Sequence, residues 1–338
     1  MTKFEKNTHR VVVFGAAGHT GRFVVDELLR RGLEPVAVGR RAEALEAAFR
    51  GGRVETRTAS VEDAGSLDLA FQGLAAVINC AGPFLDTAEA VVSAALRAGI
   101  HYIDVSAEQP SVQAVYDRFD GPARTAGLVV LPAMGFYGGL SDLLATVAMG
   151  DWGEADDIRI GIGLDRWWPT EGTRITGARN TAPRQVIAGG QLAPLPNPAP
   201  RTLWAFPEPF GSQAMIGVPF SEVVVIARHL KTGRLDTFLS EAALKDIRDA
   251  ATPPPTAVDE RGLSAQRFVV EAIVRRGDQT RRAMVAGRDI YGFTAPLVCE
   301  AVGRVFAGGV ASGALAPGEA FDAGDFLKAL PFDASTFA

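Results

Sequence analysis

The chain has 338 residues, more than one hydrophobic core usually serves, so two domains are expected. With 47% hydrophobic and 22% charged residues it has the make-up of a globular protein and not of a disordered chain. A formal net charge of -5 offers no broad attraction to polyanions, which excludes nucleic acid as an expected partner.

The first part of the chain alternates short β-rich runs with amphipathic stretches. Strands are expected at RVVVF (10–14), PVAVG (35–39), RVETRT (53–58), AAVINC (75–80), HYIDV (101–105) and LVVLP (128–132), and helices at 20–31, 41–50, 61–71, 87–98 and 111–126. Strands joined by helices pair in parallel, because only a long crossover can bring the next strand back in the same direction. The fold class is therefore α/β, a Rossmann-type doubly wound parallel sheet. Gly32 and Gly99 stand where helices end in a left-handed residue. Asp86 with Glu89 reads as a capping box, and Pro110 as a first-turn proline.

From about residue 151 the rhythm changes. IRIGIGL (158–164), a Gly/Arg/Thr stretch, the Pro-rich run 191–211 and SEVVVIARHL (221–230) suggest a second α+β domain with a mostly antiparallel sheet. RFVVEAIVRRG (267–277) and TRRAMVAGR (280–288) read as a hairpin turning at Asp278-Gln279. FTAPLVCEAVGRVFAGG (293–309) has helical spacing and is expected to pack back on the first domain. The expected division is 1–150 for dinucleotide binding, 151–288 for substrate and dimer contact, and 289–338 as a returning helical segment. No apolar run reaches the roughly 18 uninterrupted residues of a spanning helix, and the N-terminal residues lack a signal-type apolar region. A cytoplasmic protein with no membrane partner is the expectation.

Within VVVFGAAGHTGR (11–22), Gly15 ends a strand and permits a tight turn. Gly18 admits a pyrophosphate, and Gly21 lets the next helix lie close to the strand. The amides opening that helix would face the phosphates. Gly15, Ala17, Gly18, His19, Thr20 and Gly21 are accordingly read as cofactor-binding. At the tip of the second strand stand Gly39, Arg40 and Arg41, with no acid before Glu43. An NAD site usually has a carboxylate there for the ribose 2′-hydroxyl, whereas a guanidinium matches a 2′-phosphate. NADP(H) is the expected cofactor. Asn79, Cys80, Ala81, Gly82 and Pro83 after the fourth strand, and Ser106 after the fifth, occupy the same C-terminal edge and complete the set.

Other chemistries find no support. Two cysteines and four histidines show no ligand spacing, so no metal site is expected. None of the four tyrosines is followed four residues later by lysine, which excludes the Tyr-x-x-x-Lys proton donor of short-chain dehydrogenases. Neither Gly-x-Ser-x-Gly nor a P-loop occurs.

Proton-donor candidates are Tyr137 and Glu108, with Asp142 behind them, all following late strands of the sheet. Arg174, Arg179 and Arg184, in a Gly/Pro-broken stretch, are candidates for holding a substrate carboxylate. Trp167 and Trp168 are candidates for an apolar wall.

GAAGHTGR (15–22), VGRR (38–41), NCAGPF (79–84), the HYIDVSAE segment (101–108), Gly135-Phe136 followed by Ser141-Asp142, and GRDIYGFTA (287–295) together resemble the saccharopine dehydrogenase-like NADP-binding oxidoreductases. The likeness covers the first 145 residues well and the middle loosely; His19 stands where relatives often carry Tyr. The resemblance implies an NADP(H)-binding Rossmann domain, a discontinuous second domain for a small-molecule substrate, a homodimer, and hydride transfer. The transfer would be to or from a C=N or an activated C=C bond, since such families include reductases acting through imines and enoyl-reductase partners. A non-catalytic NADP(H)-binding sensor or partner subunit is the alternative.

Overall fold

The computed structural model describes residues 10–337; His9 and the rest of the stretch read as lacking a signal region lie outside the described residues. The chain forms two compact units. One runs to Gly135 and adds Thr294–Leu315; the other takes Phe136–Phe293 and the chain from Ala316 onward.

The first unit is built in chain order from β1 (Arg10–Phe14), α1 (His19–Arg30), β2 (Glu34–Gly39), α2 (Ala42–Ala48), β3 (Glu55–Thr58), α3 (Ala64–Phe71), β4 (Ala76–Asn79), α4 (Phe84–Ala98), β5 (His101–Asp104), α5 (Gln109–Ala126) and β6 (Val129–Leu131). These strands stand side by side as β6-β5-β4-β1-β2-β3, every pair parallel. This is the doubly wound order, which reverses between β1 and β4 and so opens a crevice at their C-terminal ends. Val11–Val13 and Val36–Val38 are wholly buried, as a sheet covered on both faces requires. Gly32 and Gly99 are left-handed at φ 74° and 69°, as the sequence predicts. The capping box at Asp86 and Glu89 does not form, because α4 begins at Phe84 and both residues lie inside it. Glu108 takes that role instead, its two oxygens accepting the Phe84 and Leu85 amides at 2.7 and 3.0 Å.

The second unit follows with α6 (Ser141–Met149), β7 (Ala155–Leu164), α7 (Glu171–Arg179), β8 (Gln185–Ala188), β9 (Gln191–Pro194), β10 (Arg201–Ala205), β11 (Ser212–Gly217), α8 (Glu222–His229), β12 (Thr232–Ser240), α9 (Glu241–Arg248), β13 (Arg267–Arg276) and β14 (Gln279–Arg288). The chain then runs through α10 (Ile290–Ala307), β15 (Gly313–Ala314), α11 (Pro317–Ala320), α12 (Ala323–Lys328) and β16 (Ala334–Thr336). The second sheet is ordered β10-β11-β12-β7-β13-β14-β16, with β8 also on β12 and β9 on β8. Among its described strand pairs, only β12 with β7 is parallel. Residues 294–307 of α10 belong to the first unit, where Arg31 binds Glu27 and Glu300 at 2.6 Å each. β15 extends the first sheet beside β6.

Several expectations are corrected here. The first division falls at Gly135, not at residue 150, because α6 packs on β13 and β14. The stretch 221–230 is a helix, not a strand. Its β-branched run is overridden by an acid in the first turn, Arg228 and His229 in the last, and complete burial of residues 222–226. The loop expected around Arg174 contains α7, capped by the Thr170 hydroxyl accepting from the Thr173 amide at 3.1 Å. Helix α10 has the length and composition of a membrane span, although Glu300 and Arg304 interrupt its apolar run; 67% of it is buried in the fold.

Asp142 fastens the second unit together. It is fully buried; Oδ1 meets His229 Nε2 at 2.7 Å and Oδ2 accepts the Gly318 amide at 2.7 Å. Gly318 must be glycine, since a Cβ there would lie 2.2 Å from Thr146 Oγ1 and 2.8 Å from the His229 ring. Burial by itself lowers the His229 pKa, but the charge and hydrogen bond of Asp142, with Glu319 behind, raise it overall. A histidine held above its unfolded value contributes stability that is full below about pH 6.5 and is lost as pH rises through the raised value. Asp142→Ala is expected to cost about 3 kcal/mol in urea unfolding, as removal of one partner of a buried pair does. The stability difference between wild type and His229→Gln is expected to shrink from pH 6 to pH 9; a difference that is flat or grows with pH would contradict the assignment.

Candidate cofactor and substrate sites

The glycine loop is closed by contacts that admit no side chain. Gly15 has φ +85°, and a Cβ on it would lie 2.9 Å from the Ala81 amide nitrogen; one on Gly21 would lie 2.4 Å from the Gly15 carbonyl oxygen. The Gly15 amide donates to Val38 O at 2.8 Å and the Gly18 amide to Gly15 O at 3.0 Å. Helix α1 starts after Gly18 with no side-chain cap and no acid in its first turn. This is an opening suited to an anion. Gly18 is exposed, while Ala17, His19 and Thr20 are half-buried. Arg40 and Arg41 stand exposed beyond β2, and their guanidinium groups make no ion pair or hydrogen bond among the described residues. The cradle thus fits a pyrophosphate, and the free guanidinium groups fit a 2′-phosphate.

Behind the loop lies a buried polar network at the C-terminal edge of the sheet. Asn79 Nδ2 donates to Tyr102 Oη and Thr87 Oγ1, both at 3.3 Å, and its Oδ1 accepts the Ala81 amide at 3.0 Å. Tyr102 donates to Asp104 Oδ2 at 2.8 Å. Asp104 Oδ1 accepts the Ser106 and Ala133 amides, each at 2.8 Å. Ala133 is held at φ 59°, a conformation costly for a residue with a Cβ. Burial pushes the Asp104 carboxyl up to about 6, against the lowering effect of those three donors. Asn79, Ser106 and Glu108 are thereby turned into the protein, shaping the loop. What the loop offers outward is exposed Gly82 with half-buried Cys80, Ala81 and Pro83. The Glu108 carboxyl is raised by burial, moderated by the two amides it accepts.

The second unit gathers the other candidates unevenly. Tyr137 lies in a π-type turn, Phe136–Leu140, broken by non-helical angles at Tyr137 and Gly138. Its ring stacks on Trp167 at 5.3 Å and on Phe220 at 4.3 Å. The Tyr137 hydroxyl is buried and has no hydrogen-bond partner among the described residues. Arg184 reaches this wall, with its guanidinium 4.9 Å from the Phe220 ring centre and donating to Pro219 O at 2.5 Å. Arg174 is occupied elsewhere, donating to the carbonyls of Asp249 and Thr252 at 3.1 and 2.8 Å. Arg179 is exposed at the end of α7, and Trp168 is half-buried under Arg166. Asp142 belongs to the clamp described above.

Two residues that the sequence reading passes over belong to this wall. Tyr291 accepts from Trp167 Nε1 at 2.9 Å and pairs with Thr173 Oγ1 at 2.9 Å. Glu222 is fully buried, and its Oε1 accepts the Phe220 amide at 2.7 Å. A glutamate opening a β-branched run carries no sequence signal of burial; only the helix reveals it.

Residues 11–130 match the saccharopine dehydrogenase NADP binding domain. The first unit is a dinucleotide-binding domain of that class, and its cofactor is NADP(H). Beyond residues 11–130 the likeness is one of fold. It is 28% identical over 151 residues to a bovine saccharopine dehydrogenase-like oxidoreductase, which covers 39% of this chain and 35% of the relative; the match therefore spans about a third of that relative's length. Apo saccharopine dehydrogenase (L-Glu forming) from Saccharomyces cerevisiae superposes with a TM-score of 0.66 at 14% identity, over 97% of this chain and 100% of that one.

The expectation of a cytoplasmic protein is overturned by the names of relatives. A Caenorhabditis elegans relative, 31% identical over 37% of this chain and 33% of its own, is a lipid droplet localized protein. An Arabidopsis thaliana relative, 28% identical over 40% of this chain and 33% of its own, is a probable mitochondrial saccharopine dehydrogenase-like oxidoreductase.

Gly21→Ala is expected to abolish NADPH binding in calorimetry, because the loop must open to seat the methyl group; retained affinity would contradict the geometry. An acid held above its ordinary value opposes folding once ionised, so Asp104 lowers stability as pH rises from about 4 to about 6, by roughly 3 kcal/mol for a two-unit shift. Urea unfolding of Asp104→Asn should lose that fall.

Proposed function

We propose that the protein is an NADP(H)-dependent oxidoreductase that transfers a hydride to or from a C=N or activated C=C bond of a small substrate. The observation that carries this reading is the Tyr137 hydroxyl, buried and unpartnered against an aromatic wall in a chain whose first unit binds NADP(H). Bound NADPH supplies the hydride chemistry. What remains for the chain is to orient the substrate, exclude water and move one proton.

Tyr137 is the group for the proton. Burial holds its phenol well above the ordinary range, reinforced by Tyr291 and Glu222, so it stays protonated and gives up its proton only to a substrate atom that becomes strongly basic in the reaction. Trp167 and Phe220 supply a flat apolar surface that sheds water from the reacting bond. Arg184, stacked on Phe220 and with most of its donors unused, is the anchor for a substrate carboxylate. Glu108 acts as a positioning residue that sets the start of α4, and Asp142 as one that holds the second unit together. Arg174 and Arg179 contribute outside the wall. In this reading the protein acts as a homodimer.

The test is NADPH oxidation on a panel of cyclic imines and enoyl thioesters. Tyr137→Phe should lower kcat by about 10²–10⁴-fold, the usual worth of a positioned acid, with KM for NADPH unchanged. Failure of every imine and enoyl substrate, or an unaffected Tyr137→Phe variant, would sink the reading.

A further inference from the structure

Among the described residues of the second unit, Glu222 is the fully buried carboxyl with an oxygen left without a hydrogen-bond partner. Asp142 and Asp289 are fully buried too, yet both of their oxygens are engaged. Asp142 holds His229 and the Gly318 amide, and Asp289 holds the amides of Ser264, Tyr291 and Gly292. Glu222 Oε1 accepts the Phe220 amide and the residue's own amide lies near the carboxylate, while Oε2 is buried with no aligned hydrogen bond among the described residues. The Thr237 hydroxyl stands close enough to favour the ionised carboxylate, but neither it nor Oε2 has an aligned hydrogen bond among the described residues. Burying a carboxylate oxygen with no donor is strongly unfavourable, so such a group either keeps a proton or receives a cationic donor.

The surroundings say which donor fits. Phe220, whose amide holds Glu222, presents its ring to Tyr137 at 4.3 Å, and Tyr137 stacks on Trp167. The faces of such rings attract a cation as well as apolar carbon. Tyr137 and Arg184 are the titratable groups that sense Glu222. Arg184 makes its hydrogen bond to Pro219 O and stands over Phe220, leaving Oε2 unfilled. A carboxylate oxygen, a phenol and aromatic faces are thus gathered in one place.

We propose that Glu222 is a specificity-determining residue that receives the protonated nitrogen of the substrate, an iminium in one direction and an ammonium in the other, beside the Tyr137 phenol. This rests on the reading of the protein as an oxidoreductase and narrows it to C=N over C=C. A neutral enoyl group offers Oε2 no donor and leaves the buried carboxyl incomplete, which disfavours it. Because burial raises the Glu222 pKa, a bound ammonium competes with a proton for the same oxygen.

The test uses the full chain with NADP+ present and two matched probe pairs, benzylamine against benzyl alcohol and cyclohexylamine against cyclohexanol, titrated by calorimetry. The amines should bind at least tenfold tighter than the alcohols. In Glu222→Gln the amine affinity should fall at least tenfold with the alcohol affinity unchanged. In wild type the amine affinity should climb as pH rises from 5 to 8, where the amines themselves stay charged. This arm holds even if the variant fails to fold. Equal binding of amine and alcohol, an unchanged Glu222→Gln, or a flat pH profile would overturn the proposal. Amine binding through Glu222 without NADPH turnover on any substrate sinks the oxidoreductase reading alone. Enoyl turnover without amine discrimination sinks this inference alone.

Discussion

The first unit depends on one close approach, that of Gly21 to the Gly15 carbonyl oxygen. There is no room between them for a methyl group, so α1 begins directly on the end of β1. Its uncapped first turn opens at the edge where the strand order reverses. The same closeness brings Gly15 against the Ala81 backbone, which couples the glycine loop to the loop after β4. Asn79, Tyr102, Asp104 and Ala133 then extend a single buried network from that loop to the end of β6. A cofactor cradle made of backbone needs such a frame, because it has no side chains of its own to hold its shape.

Buried carboxylates do comparable work in both units, and their hydrogen bonds sort them by role. Asp104, Asp142 and Asp289 each collect amides from segments distant in the chain, where a filled carboxylate acts as a fastener. Glu222 has one oxygen filled and one unfilled, on the aromatic wall that also holds the unpartnered Tyr137 hydroxyl. Incompletely bonded buried polar groups are costly to keep in a fold unless a ligand completes them.

The parallel sheet was legible because the central strands β1, β2 and β4 are buried apolar runs, and glycines punctuate the turns where left-handed backbone is required, as at Gly15, Gly32 and Gly99. NADP(H) was legible because the loop is contiguous and its discriminating arginines follow at the next strand tip. The second unit was less so. Residues 221–230 carry strand-forming side chains but form α8, since packing and end charges outweigh weak β-propensity. Asp86 resembled a cap, yet α4 starts two residues earlier and takes its cap from Glu108, 24 residues away in sequence. Long-range partners of this kind, His229 for Asp142 or Tyr291 for Trp167, leave no local pattern. Wall residues from the π-type turn, Trp167, α8 and the start of α10 come together only in three dimensions.

The central claim is that the exposed Arg40 and Arg41, with no competing acid before Glu43, make the first unit selective for the phosphorylated dinucleotide. Its most direct test is the pair of dissociation constants for NADPH and NADH, measured by calorimetry on wild type and on Arg40→Ala/Arg41→Ala at one salt concentration. Loss of charge-assisted hydrogen bonds to a 2′-phosphate corresponds to roughly 10- to 100-fold in affinity. Wild type should therefore bind NADPH tighter than NADH by at least that factor, and the double variant should bind the two alike. Equal or tighter binding of NADH by wild type would contradict the account.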